Sequence, residues 1–219
     1  MSLIAKEKTG SDIPPVPEGV YTAVCYSIID IGVQYSERFD KAARKVVISW
    51  EIPEHRIDLE RNGMKANLPR AISSRYTLSL GEKAILRRDL NAWRGRAFTE
   101  AELKGFDLKK LLGAACQLQV IHAVKDSKTF ANVGTLMALP KGVKPPKPEN
   151  ELLFFSLNEL AEQEGLPVLP KTIPEWISKL IKESREWEKL TLKAQKPTEA
   201  SKPAELVPAG AVAEDDVPF

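Results

Sequence analysis

The sequence predicts a mainly β body with added helices, and three observations carry that prediction. Five runs dense in β-branched and aromatic residues lie between residues 19 and 140. One amphipathic helical stretch separates the third run from the fourth. A basic, Pro-rich stretch, Pro140 to Pro148, then divides this body from a segment whose apolar residues recur at helical spacing.

Residues 1–18 are polar and broken by Pro14, Pro15 and Pro17, which predicts a flexible lead-in. Gly19 opens a first strand, Val20 to Val33, long enough to curve around a barrel with Gly32 as a bulge or bend. A charged loop, Gln34 to Lys45, leads to a second strand, Val46 to Ile52, where Val46, Ile48, Trp50 and Ile52 share one face. A second loop holds Pro53, Arg56, Arg61 and the turn-forming pair Asn62-Gly63. The third strand falls between Lys65 and Leu80, with Ile72, Ser74, Tyr76 and Leu78 on one face and Arg75 and Thr77 on the other. Glu82 to Trp93 reads as a helix with Leu86, Leu90 and Trp93 aligned. Thr99 with Glu102 makes a capping-box pattern, and Asp107 caps Leu108 to Leu112. Cys116 to Val124 and Thr129 to Leu139 are the last two strands, joined as a hairpin by Lys125 to Lys128.

Three strands, a helix and two strands is the element order of the OB-fold, a five-stranded Greek-key barrel. The expected organisation is therefore a flexible segment at 1–18, an OB-fold body at 19–140, a Pro-rich basic linker at 141–150, a helical appendage at 151–194 and a disordered acidic tail at 195–219. In the appendage, Ser156 with Glu159 and Thr172 with Glu175 each start a helix. The second carries Ile173, Trp176, Ile177, Leu180 and Ile181 on one face and extends to about Lys193.

The hydrophobic fraction of 43% supports a core, and the net charge of +2 hides an asymmetry. Residues 197–219 hold five acids and one base, a net of −4, which leaves +6 on the rest of the chain. A basic body with an acidic tail suits a polyanionic ligand, the tail competing weakly for the same surface. Two cysteines, Cys25 and Cys116, read as buried reduced thiols rather than a disulfide or zinc framework. No apolar run has the length of a membrane span or the form of a secretory signal, so a cytoplasmic protein without membrane association is expected.

Binding a single strand without sequence preference takes cations that follow phosphates and aromatic faces on which bases stack. The first loop interleaves Tyr35 and Phe39 with Arg38, Lys41 and Arg44, and the late hairpin places Lys125 and Lys128 beside Phe130. Trp50, Arg70, Arg75 and Tyr76 lie on the second and third strands, which form the binding face of an OB barrel. The alternation around Trp50 favours the core over a stacking platform, and Tyr76 is evenly balanced between the two. Arg87, Arg88, Arg94 and Arg96 form a second basic cluster that reads as a solvated face, and Trp176 and Trp187 as glue for the appendage. The two histidines, His55 and His122, have no partner at metal-ligand spacing, and no phosphate-cradling glycine loop or nucleophile motif is present. No catalytic residue, metal or cofactor is expected.

The last five residues, Asp215, Asp216, Val217, Pro218 and Phe219, combine paired carboxylates with a Pro-stiffened apolar end. This ending resembles the acidic tip of bacterial single-stranded-DNA-binding proteins, which closes on D-D-I-P-F or a near variant, with Val217 in place of Ile. The resemblance covers these five residues alone. The body does not match the bacterial domain, and bacteriophage-encoded members that pair a divergent OB body with an acidic tail are the more similar group. It implies a non-enzymatic protein of the bacterial host cytoplasm that coats single-stranded DNA in replication or recombination and recruits replication and repair proteins through its tip. Self-association is compatible with the sequence. Two other readings stay open: a protein adaptor without nucleic-acid binding, and a metal-dependent nuclease built from scattered carboxylates.

Overall fold

The computed structural model describes residues 13–37, 40–61, 64–162 and 165–195. Among the described residues six strands are present: β1 (Gly19–Ser36), β2 (Lys41–Arg61), β3 (Met64–Thr77), β4 (Ala115–Lys125), β5 (Lys128–Met137) and the short β6 (Leu153–Phe155). Helix α1 (Ile85–Arg94) lies between β3 and β4, followed by α2 (Glu100–Lys104) and a 3-10 turn at Leu108–Leu111; α3 (Leu157–Ala161), α4 (Glu175–Lys182) and α5 (Arg185–Gln195) follow β6. Strands β1 to β5 form one antiparallel sheet in the order β3-β2-β1-β4-β5, curled into a half-barrel. β3 and β5 approach each other across its open side without a hydrogen-bonded ladder.

β1 is the centre of this arrangement. Gly19 to Val24 pair with β4, Val24 to Ser36 pair with β2, and Ser27, Ile28 and Ile29 pair in parallel with β6. The register with β2 shifts twice, around Tyr26 and between Asp30 and Val33. Each shift bends the strand. Gly32 sits at the second bend with φ of 69°, as its place in the apolar run predicts.

The inward face of the sheet holds Ala23, Cys25, Ile28, Val46, Ile48, Trp50, Ile52 and Ile72. α1 lays Leu86, Leu90 and Trp93 against them, with the Trp50 and Trp93 rings 5.7 Å apart. Trp93 also donates from Nε1 to the Ala115 carbonyl at 2.9 Å, which fixes the helix to the start of β4. The outward face of β1 and β2 is covered as well. Ile29, Ile31 and Val47 pack against Phe155, Leu157 and Leu160 and against Ile173, Ile177 and Ile181.

Carboxylates pin this second layer to the sheet. Asp30 accepts from Gly32 N at 3.0 Å, from Arg44 through two nitrogens and from Leu157 N at 3.2 Å. Glu51 is fully buried and accepts from Glu149 N at 2.6 Å and from Asn150 through its backbone and side-chain amides. The Pro-rich linker thus ends in a carboxylate socket on β2. Glu186 accepts from Val33 N at 2.7 Å beside the β1 bend.

Several local expectations are redrawn. The loop expected at Gln34 to Lys45 is mostly strand, because β1 runs to Ser36 and β2 resumes at Lys41. The loop expected after Ile52 is a long extension of β2, with an irregularity between Ile52 and Arg56 where Pro53 has no amide to give a ladder. Asn62-Gly63 lies outside the described residues, although Arg61 and Met64 pair across it. The long helix expected after Thr172 is two helices: Ser184 Oγ donates to Ile181 O at 2.6 Å, accepts from Trp187 N at 3.2 Å, and so ends α4 and caps α5. Residues 13–18, read as a loose lead-in, run across the sheet: Pro14 O accepts from Arg70, Val16 is buried in the core, and Val16 O accepts from His122 Nε2 at 2.7 Å.

At Gly32 a Cβ would lie 2.7 Å from Ser184 Cβ and 2.7 Å from Glu186 Oε2, whereas at Gly105, with φ of −179°, it would meet nothing within 4 Å. Gly32→Ala is therefore expected to cost about 1–3 kcal/mol in chemical denaturation, and Gly105→Ala less than about 0.5 kcal/mol. Equal effects would remove the bend from the account of how the second layer docks.

Candidate nucleic-acid interface

The predicted site residues separate into an inner and an outer set. Trp50 is fully buried, Tyr76 is 4% exposed and Arg70 is 8% exposed. Strand alternation turns all three toward the core, where Tyr76 donates its hydroxyl to Asp89 at 3.1 Å and Arg70 holds the Pro14 carbonyl. Burial, with the Asp89 carboxylate next, raises the Tyr76 phenol well above its ordinary value. Buried rings and a buried guanidinium present no face to a base or phosphate, so these three are corrected to core residues.

At the β1–β2 tip, Tyr35 is 57% exposed and donates to Asp40 Oδ1 at 2.5 Å, while Lys41 is exposed. Tyr35 pairs with Ala42 and Lys41 with Ser36, which places the ring and the ammonium on opposite faces of the ribbon. Arg44 belongs to the carboxylate seam through Asp30 and also donates to Asn158 Oδ1 at 2.9 Å, so its half-buried guanidinium is held by two protein partners. Arg38 and Phe39 lie outside the described residues.

The β4–β5 hairpin keeps its predicted candidates in solvent. Lys125 pairs with Lys128 and Ala123 with Phe130, so the two ammonium groups and the ring share one face. Phe130 is 48% exposed. Asp126 and Ser127, with φ of 49° and 60°, close the turn in the left-handed region that a two-residue hairpin loop requires. Neither strand contains an Asp or Glu, although 30 of the 219 residues are acidic, so Asp126 in the turn is the hairpin's one carboxylate. The strands extend past the start of β1, which begins opposite Val120, leaving the tip as an arm.

Arg75 is exposed on the outward side of β3 and lines an open groove of about 760 Å³ together with Lys45 and Lys83. The sequence did not point to these lysines. Lys45 belonged to a stretch read as loop, and Lys83 to a helix that in fact starts at Ile85. The pairing of Lys45 with Thr77 and of Val47 with Arg75 brings the groove together.

The second basic cluster is structural in part. Arg96 and Arg94 both bond Glu102, and Arg94 lies 4.3 Å over the Phe98 ring. Arg96, then the Thr99 amide and Arg94, hold the Glu102 carboxyl down at about 2.

Compared with known protein families and with characterised proteins, the sequence matches none. Among the described residues no helix is long and apolar enough to cross a membrane, and no group of three or more His, Cys, Asp or Glu is placed to hold a metal ion.

Arg44→Ala breaks a partly buried ion pair and leaves the Asp30 carboxylate without its cation, and is expected to lower stability by about 1–2 kcal/mol, measured by urea denaturation. Lys125→Ala is expected to leave the urea midpoint unchanged. Loss of stability from Lys125→Ala, with none from Arg44→Ala, would reverse the division between seam and surface.

Proposed function

We propose that this chain is a non-enzymatic single-stranded-DNA-binding protein. The observation that carries the proposal is the β4–β5 arm, whose acid-free strands present Lys125, Lys128 and Phe130 on one exposed face. Ammonium groups beside an accessible ring supply the two interactions that a single strand without a fixed sequence offers, phosphate attraction and base stacking. A stack on Phe130 is worth about 1–3 kcal/mol. Tyr35 and Lys41 at the other end of β1 offer a ring and an ammonium on opposite faces of the β1–β2 tip, a weaker second contact.

The topology supports this reading. The order β3-β2-β1-β4-β5, with a helix between β3 and β4, is the order of an OB barrel opened between β3 and β5. The +6 body and −4 tail add a long-range attraction for a polyanion and a tethered anionic competitor. Residues Asp215 to Phe219, outside the described residues, serve in this proposal as the peptide that recruits replication and repair proteins.

Labelled oligo(dT) titrated by fluorescence anisotropy tests the proposal. About four phosphate contacts give a log–log salt slope near −2.8, a fall in affinity of about fifty-fold between 50 and 200 mM salt. Phe130→Ala is expected to weaken binding about tenfold at fixed salt without changing that slope. Absence of salt-sensitive binding at micromolar protein contradicts the function. Deletion of Asp215 to Phe219 is expected to leave oligonucleotide affinity equal or higher while abolishing partner capture; a large loss of affinity would refute the competitor role.

A further inference from the structure

The outward face of β1 and β2 is occupied. Ile29, Ile31 and Val47 lie under α3, α4 and the segment around Ile173, and Glu51 and Asp30 lock that layer down. A strand of DNA crossing the sheet cannot lie there. Moving toward the sheet edge, the cover ends at β3, where Ala71, Arg75 and Thr77 are exposed on the same side as Val47. The groove lined by Lys45, Arg75 and Lys83 opens at this point, with Thr77, Ser79 and Ile85 also on its walls.

The state of Arg75 sets it apart from its neighbours. Arg44, Arg56, Arg88, Arg94 and Arg96 each pair with a carboxylate, and Arg70 and Arg87 bond backbone carbonyls. Among the described residues Arg75 has no such partner, nor do Lys45 and Lys83. The groove's single carboxylate, Glu82, is exposed and bonds none of the three. Lys45 and Arg75 are diagonal neighbours on adjacent antiparallel strands, about 7–8 Å apart at the backbone, and both side chains line the one groove. A guanidinium fork in a groove shared with two ammonium groups and two hydroxyls suits phosphodiester oxygens.

We propose that the Lys45–Arg75–Lys83 groove binds internal phosphates of the single strand, carrying its backbone along the β3 edge and around the helical cover. The inference rests on the single-stranded-DNA reading. It adds phosphate positioning by the groove to the charge and base stacking that the β4–β5 arm supplies.

The test is the triple variant Lys45→Ala, Arg75→Ala, Lys83→Ala in the full chain, with a urea midpoint matching the parent as the check on folding; Arg75→Lys alone serves if the triple variant fails that check. With oligo(dT) the triple variant is expected to lower the magnitude of the salt slope by about 2, at roughly 0.7 per lost phosphate, and to weaken binding at least tenfold at 100 mM salt. Arg75→Lys keeps the charge but loses the fork, and is expected to weaken binding severalfold with the slope nearly unchanged. Oligonucleotides with and without a 5′-phosphate are expected to bind the parent alike; selective loss of the phosphorylated one in the variant would assign the groove to strand ends and overturn the internal path. A parent that binds with the predicted slope while the folded variants match it in affinity and slope overturns the groove and leaves the function standing. A parent that binds no oligonucleotide removes the function itself.

Discussion

Everything in this protein depends on β1 being buried on both faces. Ile28 and Cys25 face the barrel interior with Trp50 and Trp93, while Ile29 and Ile31 face the C-terminal helices. A strand in that position cannot be the exposed floor of a binding cleft. Its two bends, its three strand partners and the carboxylate seam at Asp30 follow from having to serve two cores at once. The polar groups at that seam are nearly all used: Asp30 and Glu51 accept from backbone amides that the layer's irregular start would otherwise leave unpaired.

This double burial redistributes surface charge. Arg44 is drawn into the seam, and Arg94 and Arg96 converge on Glu102. Among the cations that stay in solvent are those of the β1–β2 tip, the β4–β5 arm and the β3 edge. In the proposed function the ligand contacts therefore fall at the ends and the margin of the sheet, where the groove lined by Arg75 opens at the β3 edge.

Much of the fold was legible because local signals agreed with it. The V-I-W-I alternation placed Trp50 inside, the Leu86, Leu90 and Trp93 spacing gave α1 its buried face, and the Thr99–Glu102 capping box formed as expected. Less was legible where tertiary pairing overrides composition. Charged residues from Lys41 to Lys45 and from Glu54 to Glu60 are strand because long ladders hold them, and no periodicity marks that. β6 is only three residues long and forms through β1. The candidate site was half visible. Lys125, Lys128 and Phe130 announce themselves as a turn with cations and a ring, but Arg70 and Tyr76 differ from Arg75 only by strand parity. Lys45 and Lys83 join Arg75 across 38 residues of chain, a relation that only the β2–β3 register reveals.

Amide hydrogen exchange on the full chain, with and without oligo(dT) at low salt, measures the central claim most directly. The account predicts slower exchange on binding at the β4–β5 arm, residues 121–132, and at the β3 margin, residues 75–85, with little change across α3 and α4. Protection confined to α3 and α4, or a body that exchanges identically with and without the oligonucleotide, would contradict it.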